Sequence, residues 1–334
     1  MFVSLGTKKK RTWSELVSLV LYTTFISRAF FGRDPYEIRG KCLPLRRKNK
    51  NQMLRTPAEW RNKLKTRYDD REAAALARAV CCEMLGQGIA GYVLNEPLPQ
   101  DEAARQRAED IENRLLRYEP LQYIQGKARF LGRDFHVEPG VLVPRPETEE
   151  LVERMLAEVP AGGRILDVGT GSGCIAVTLA LEVPGARVEA WDVSPEALSV
   201  ARRNSRTLGA EVDFALRDAL AQEPDGAGRW DVIVSNPPYV TESERAEMEP
   251  NVLRYEPAGA LFVPDEDPLR FYRCIGQLGR HCLTPGGRIY FEANRTFVQD
   301  TAKLLQAQGF DEVRTGRDLS GNDRFVMARQ PMLR

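Results

Sequence analysis

Helical patterns and short apolar runs alternate from Thr148 to the end of the chain, and this alternation constrains the fold more than any other feature. The strand candidates are 164–168, 187–191, 212–215, 231–235, 288–292 and 325–328. Strands joined through helical crossovers pair in parallel, with helices packed on the faces of the sheet. We therefore predict an α/β domain over residues 148–331 with a doubly wound, mainly parallel sheet.

Residues 53–118 carry a helical pattern that an internal loop with Gly, Asn and Pro interrupts at 86–99. Apolar residues recur at helical spacing in 71–85 and again in 103–116. Thr56 is a good N-cap residue, and Pro57 behind it suits the first turn of a helix. These signals predict a small amino-terminal helical domain whose alanine-rich stripe forms the core of a bundle.

Residues 119–147 differ from both flanking regions. Three short runs of extended type, 122–124, 128–135 and 141–143, are separated by glycine and proline. Such runs with turn residues between them predict strands and hairpins. We predict a β-hairpin linker between the helical domain and the α/β domain.

The first 52 residues hold most of the positive charge of the chain. They carry twelve Lys or Arg and three Asp or Glu, leaving thirty-six basic and forty-four acidic residues in the remainder. The extension is therefore +9 and the body −8. Nucleic-acid-binding proteins usually display a basic surface, so the acidic body argues against nucleic acid as the main substrate.

This extension also resembles a targeting sequence, because the basic run 8–11 precedes an apolar stretch at 16–31. A membrane anchor, a targeting segment and a non-catalytic extension are the three interpretations. The apolar stretch is interrupted by Thr23 and Arg28, is short for a membrane span, and precedes no small-residue cleavage site. These features favour a disordered, non-catalytic extension and a protein that does not bind membranes.

The number and spacing of the cysteines and histidines show whether a metal site or disulfide bonds are to be expected. The chain has six cysteines without a CxxC spacing and two histidines, His136 and His281. Zinc sites and disulfide frameworks show regular Cys or Cys/His spacing. We predict neither a metal site nor disulfides.

A glycine-rich motif, Asp-Val-Gly-Thr-Gly-Ser-Gly at 167–173, directly follows the first strand candidate of the α/β domain and precedes a helical pattern. In such folds a ligand lies at the carboxyl ends of the strands, where glycine allows sharp turns and close approach. Asp192 ends the next strand candidate, where a carboxylate can accept hydrogen bonds from both ribose hydroxyls. The pattern predicts a nucleoside-binding site.

The spacing of the glycines separates two classes of ligand. A dinucleotide site prefers G-x-G-x-x-G, which would need glycine where Cys174 stands. The D-x-G-x-G-x-G form resembles the loop of class I, Rossmann-like S-adenosylmethionine-dependent methyltransferases. That resemblance implies S-adenosylmethionine as cofactor and an adenine contact from Asp218. Ala219 departs from relatives that carry an aromatic residue there.

The Asn-Pro-Pro-Tyr motif at 236–239 ends the strand candidate 231–235. An amide nitrogen is a poor nucleophile, so an enzyme that methylates it must hold it in line with the methyl group and stabilise developing positive charge. The Asn236 side-chain oxygen and the Pro237 carbonyl can each accept one N–H of the substrate. Consecutive prolines hold these acceptors rigidly, and the ring of Tyr239 can pack on a planar amide.

This motif alone leaves the substrate open. Enzymes that methylate glutamine amides share it with enzymes that methylate N6 of adenine or N2 of guanine in DNA or ribosomal RNA. A nucleic-acid enzyme would need to extract a base and usually has a basic groove. A catalytically idle cofactor-binding adaptor is the third interpretation, and a damaged glycine loop or Asn-Pro-Pro-Tyr motif would be its sign.

Further segments make the resemblance specific. They are EPLQYIQG at 119–126, VPRPETE at 143–149, NPPY at 236–239, and RYEP at 254–257 with Ala260 and Leu261. In order and spacing they resemble the release factor glutamine methyltransferase family (HemK/PrmC). The likeness extends from about Thr56 to Arg329, whereas residues 1–52 match nothing in the family pattern.

The resemblance implies N5-methylation of the glutamine in the Gly-Gly-Gln loop of a peptide chain release factor, with a helical domain that helps to dock this substrate. We expect the protein to be cytoplasmic, with a monomer as the default oligomeric state. Arg145 and Glu147 would have structural or positioning roles. The implied cofactor-binding residues are Gly169, Thr170, Gly171, Ser172, Gly173, Asp192, Asp218 and Asn236. The implied catalytic and substrate-binding residues are Asn236, Pro237, Pro238 and Tyr239.

Overall fold

The computed structural model describes residues 56–221 and 226–332. The expected disordered extension, 1–52, lies outside the described residues. Within the two described ranges, no helix is both long enough and apolar enough to cross a membrane.

Within the described residues, five short helices form the amino-terminal part, from Thr56 to Gln125. They are α1 (Pro57–Leu64), α2 (Asp70–Ala79), α3 (Ile89–Val93), α4 (Glu102–Leu115) and α5 (Leu121–Gln125), and a π-helical turn, Val80–Met84, continues α2. The Thr56 hydroxyl accepts a hydrogen bond from the backbone N–H of Glu59 at 3.3 Å, so Thr56 caps α1 as expected. The core of this part includes the fully buried Trp60 and Leu115.

Helix α5 corrects the sequence prediction, which had 122–124 as an extended run. Pro120 precedes the helix, and its carbonyl accepts hydrogen bonds from the N–H groups of Tyr123 and Ile124. Gly126 ends the helix in the left-handed conformation, with φ of 70°. The alternating pattern misled because one buried side chain, Tyr123, is enough to anchor a single helical turn.

The linker holds one antiparallel hairpin, formed by β1 (Lys127–Phe130) and β2 (Arg133–His136). Its two-residue turn, Leu131 and Gly132, has positive φ at both positions, the geometry that matches strand twist in tight hairpins. The expected extended run at 141–143 is not a strand. Its valines are buried, but Pro144 beside them has no N–H to donate to a sheet.

The α/β domain is built on a seven-stranded sheet. Its strands are β3 (Arg164–Val168), β4 (Arg187–Asp192), β5 (Val212–Leu216), β6 (Trp230–Ser235), β9 (Leu283–Glu292), β10 (Asp311–Arg317) and β11 (Asp323–Arg329). Two short strands, β7 (Val240–Thr241) and β8 (Phe262–Val263), form a separate parallel pair. The helices are α6 (Pro146–Leu156), α7 (Cys174–Glu182), α8 (Pro195–Leu208), α9 (Pro250–Tyr255), α10 (Arg270–Cys282) and α11 (Val298–Ala307).

The order of the strands across this sheet is β10-β11-β9-β6-β3-β4-β5. Strands β5, β4, β3, β6 and β9 run parallel, and β11 and β10 are antiparallel additions at one edge. This arrangement confirms the mainly parallel, doubly wound sheet and all six predicted strands. Strand β10 escaped prediction because it is a mostly exposed edge strand with a polar, charged sequence.

Helices cover both faces of the sheet. Ile165 and Leu166, successive residues of β3, belong to different hydrophobic clusters, because neighbouring side chains on a strand point to opposite faces. Helices α6 and α7 pack into the first cluster, and α10 and α11 into the second. The chain reverses its direction of winding between the adjacent strands β3 and β6, which is where α/β sheets bind ligands.

Candidate active site

The glycine loop leaves β3 and enters α7 through three residues with positive φ. Gly169, Gly171 and Gly173 have φ of 77°, 55° and 81°. A Cβ on Gly169 or Gly171 would meet open space, whereas one on Gly173 would lie 3.1 Å from the Cβ of Ala201 on α8. The first two glycines therefore expose backbone, and the third lets two helices approach closely.

Asp167 holds this loop in place through hydrogen bonds. Its fully buried carboxylate accepts hydrogen bonds through Oδ2 from the Thr170 hydroxyl at 2.7 Å and from the Ala176 N–H at 3.2 Å. The other oxygen, Oδ1, has no hydrogen-bond partner among the described residues. Burial raises the pKa of Asp167 to about 7. The first residue of the motif, which was not counted among the site residues, therefore shapes the loop.

Asp167→Asn is expected to weaken the dependence of stability on pH. Because the folded pKa lies above the usual value, the native state holds a proton that the unfolded state has lost, and stability falls as pH rises towards about 7. Asparagine does not titrate. The free energy of unfolding of Asp167→Asn, relative to that of the wild type, should therefore rise by about 2 kcal/mol between about pH 5 and about pH 8. Urea unfolding at both pH values measures this, with the exposed Asp213→Asn as control. Parallel behaviour of wild type and Asp167→Asn would contradict the assignment.

Asp192 lies at the carboxyl end of β4 and faces the same loop. Its Oδ2 accepts a hydrogen bond from the Gly171 N–H at 2.8 Å, and its Oδ1 accepts one from the Ser194 N–H at 2.9 Å. Burial raises the pKa of this carboxyl, and the two backbone donors oppose the shift. The carboxylate is thus held rigidly beside the loop, with lone pairs left for a ligand.

The Asn-Pro-Pro-Tyr turn follows β6, next to β3. The Ser235 hydroxyl donates to the Val168 carbonyl at 2.6 Å and joins the two strand ends. The Asn236 Nδ2 donates to the Thr148 hydroxyl at 3.1 Å, which leaves Oδ1 of the amide as an acceptor. The Tyr239 hydroxyl donates to Glu292 Oε1 at 3.1 Å.

A cavity of about 230 Å³ joins the glycine loop to this turn. The predicted site residues that line it are Gly169, Gly171, Asp192, Asp218, Asn236, Pro237 and Pro238. Thr170, Ser172, Gly173 and Tyr239 do not line it, and Thr170 and Ser172 are buried behind the loop. One wall of the cavity was not predicted as a site, and it consists of Gly140, Val141, Leu142, Pro257, Gly259, Ala260, Phe271 and Ile275.

An ion pair holds this missed wall together. Glu256 is buried, and its Oε1 accepts a hydrogen bond from Arg145 at 2.7 Å while its Oε2 accepts one from the Val143 N–H at 3.3 Å. Burial raises the pKa of Glu256, and the positive charge of Arg145 opposes the shift. The segments that follow Leu142 and precede Pro257, both of which line the cavity, are therefore joined through one carboxylate. The VPRPETE motif at 143–149 and the RYEP motif at 254–257 are the sequence signal from which a contact between these segments could have been predicted.

Glu256→Ala is expected to lower the free energy of unfolding by about 1–3 kcal/mol, because it leaves the buried Val143 N–H and the Arg145 guanidinium without their acceptor. Urea unfolding measures the loss. Glu266→Ala removes an exposed glutamate from the same part of the chain and should have an effect below about 0.5 kcal/mol. Equal stabilities of the two variants would show that the pair does not hold the wall.

A family described as the Methyltransferase small domain matches residues 146–254, from α6 to α9. With the observed fold, this match makes the chain a class I methyltransferase that uses S-adenosylmethionine. A release factor glutamine methyltransferase from Bacteroides thetaiotaomicron is 47% identical over 276 residues, which span 83% of this chain and 99% of that protein. The chain therefore belongs to the release factor glutamine methyltransferase family.

A second relative agrees with this assignment. A release factor glutamine methyltransferase from Flavobacterium psychrophilum is 41% identical over 239 residues, which cover 70% of this chain and 84% of that protein. Among solved structures, a methyltransferase from Pyrococcus furiosus covers 67% of this chain and all of its own, with a TM-score of 0.46 and 18% identity.

Proposed function

We propose that this protein transfers a methyl group from S-adenosylmethionine to N5 of the glutamine in the Gly-Gly-Gln loop of a peptide chain release factor. The observation that carries the proposal is the Asn236 amide, which lines the cavity while its Nδ2 is engaged by Thr148. This leaves Oδ1 to accept from a substrate NH2 group. The relatives named for release factor glutamine methylation favour glutamine over a nucleic-acid base.

The cavity fits S-adenosylmethionine by its chemistry. This cofactor has ribose hydroxyls, a planar base and a cationic sulfonium, but no phosphate. The glycine loop provides open backbone at Gly169 and Gly171, and Asp192 provides a fixed carboxylate for the ribose hydroxyls. Asp218 lies on the same cavity, with its Oδ1 accepting from the Leu220 N–H at 2.8 Å, and would contact the adenine.

The bound cofactor supplies an electrophilic methyl group on sulfur. The protein holds the glutamine amide through two acceptors, Asn236 Oδ1 and the Pro237 carbonyl, which direct the nitrogen lone pair towards that methyl group. These acceptors would also stabilise the positive charge that develops on nitrogen as the new N–C bond forms and the methyl–sulfur bond breaks, its electron pair staying on sulfur. The surplus N–H proton leaves after transfer, so this step needs no strong base.

The helical part of the chain, 53–118, is proposed to help dock the release factor. Helix α3 and the residue after it expose three large apolar side chains, Ile89, Val93 and Leu94, at 62%, 72% and 69%. Contiguous exposed apolar surface of this kind is typical of protein interaction sites. The proposal also places the enzyme in the cytoplasm as a monomer, with no nucleic acid as its main substrate.

The test is transfer of a labelled methyl group to three acceptors in parallel: a purified release factor, its Gly-Gly-Gln to Gly-Gly-Ala variant, and ribosomal RNA. We expect label on the unaltered factor alone. Label on RNA alone would assign the enzyme to base methylation instead. Label on both forms of the factor would place the modification outside the Gly-Gly-Gln glutamine.

A further inference from the structure

A buried carboxylate lies behind the Asn-Pro-Pro-Tyr turn and outside the proposed roles. Glu292, at the end of β9, is 1% exposed and does not line the cavity. It accepts hydrogen bonds from the Thr148 hydroxyl at 2.6 Å and from the Tyr239 hydroxyl at 3.1 Å. Burying a carboxylate carries a large desolvation cost, which its hydrogen bonds must offset. Its presence here therefore calls for a reason other than stability.

The Thr148 hydroxyl determines which way the Asn236 amide faces. A hydroxyl has one hydrogen, and in Thr148 that hydrogen is donated to Glu292 Oε2. The Thr148 oxygen can then only accept, so the Asn236 atom beside it at 3.1 Å must be the donor Nδ2. The reversed amide would place two acceptors against each other. The opposite atom, Oδ1, is therefore kept as the acceptor.

The same carboxylate anchors both ends of the turn. Asn236 is linked to Glu292 through Thr148, and Tyr239 is bonded to it directly. The ionised form suits this arrangement, because both neighbouring hydroxyls donate and neither oxygen of Glu292 needs a proton. Burial raises the pKa of Glu292, and the positive charge of Arg324 opposes that effect.

We propose that Thr148 and Glu292 are positioning residues for methyl transfer, which act by fixing the Asn236 amide with its oxygen towards the reacting nitrogen. This inference rests on the proposed function of the site. Neither residue contacts the substrate in this scheme. Their effect reaches the reaction only through the orientation of Asn236, and for this reason it should appear in kcat and not in cofactor affinity.

The central test compares Thr148→Val with Thr148→Ser. Valine keeps the shape but removes the hydroxyl, so we expect kcat for release factor methylation to fall about 10- to 100-fold, with the S-adenosylmethionine KM within about threefold of wild type. Serine restores the hydroxyl and should recover activity to within about threefold. Thr301→Val is the matched control, because Thr301 is also buried but its hydroxyl has no partner among the described residues.

A second measurement needs no substrate. The Asn236 side-chain NH2 group can be assigned by NMR through its loss in Asn236→Ala, and its hydrogen exchange compared between variants. We expect exchange at least about tenfold faster in Thr148→Val than in wild type and in Thr148→Ser, because the Nδ2–H loses its acceptor. Melting temperatures of all variants show whether each one is folded.

The outcomes separate this inference from the proposed function. An inactive wild type would refute the proposed function. The exchange measurement would still show whether the Asn236 NH2 group donates a hydrogen bond to Thr148. Wild-type kcat in Thr148→Val, equal losses in the valine and serine variants, or unchanged Asn236 exchange would each overturn the positioning role. A kcat loss confined to valine, with faster exchange, would support it.

Discussion

Asn236→Ala is expected to lower kcat for release factor methylation by about 100- to 1000-fold, the range found when one preorganised polar group at a reacting centre is removed. The cause is the loss of Oδ1, the acceptor that remains available because Nδ2 of this cavity-lining side chain donates to the Thr148 hydroxyl. Because this acceptor acts on the substrate amide and its developing charge, we expect the dissociation constant of S-adenosylmethionine to change less than about threefold. Labelled-methyl transfer at saturating release factor, with calorimetric cofactor binding, measures both quantities.

The matched control is Asn113→Ala, which removes the same amide from an exposed position on α4. It should retain wild-type kcat. Equal losses of kcat and cofactor affinity in Asn236→Ala would mean that this residue serves mainly the cofactor. An unchanged kcat would remove the substrate acceptor from the proposed mechanism altogether.

That the glycine loop and the Asn-Pro-Pro-Tyr turn lie next to each other could be predicted from sequence, because it follows from local signals. Each motif comes directly after an apolar strand, and parallel strands bring their carboxyl ends to one edge of the sheet. The structure places β3 and β6 side by side, with Ser235 bonded to Val168 across the gap. No long-range information beyond the parallel topology was required.

The supporting residues could not be predicted in this way. Thr148 and Glu292 are 144 residues apart, and Arg145 and Glu256 are 111 apart, so no spacing rule pairs them. Packing of the Tyr239 ring on the substrate amide stays a prediction, and the partner of its hydroxyl, Glu292, is one that only the tertiary fold brings near. Side-chain pairing across distant segments depends on where each helix packs on the sheet. Hydrophobic periodicity shows which face of a helix is buried but does not determine that position.

Asp192→Ala is expected to raise the dissociation constant of S-adenosylmethionine about 100-fold, since hydrogen bonds to a charged acceptor contribute about 1.5–3 kcal/mol each. The substitution removes the proposed acceptor for the ribose hydroxyls. It also removes the carboxylate that holds the Gly171 N–H at 2.8 Å, so the loop loses an anchor on the cofactor side. At saturating cofactor, kcat should fall less than about tenfold, because the substrate acceptors at Asn236 and Pro237 stay in place.

Cofactor-induced stabilisation provides a sensitive measurement of the same effect. At a cofactor concentration 100 times the wild-type dissociation constant, binding should add about 2.7 kcal/mol to the wild type and only about 0.4 kcal/mol to Asp192→Ala. Asp213→Ala is the matched control, because it removes an exposed carboxylate from β5 that does not line the cavity. If Asp192→Ala were stabilised as strongly as that control, the ribose hydroxyls would have to be held by another group, and Asp218, the other carboxylate on this cavity, would be the next to test.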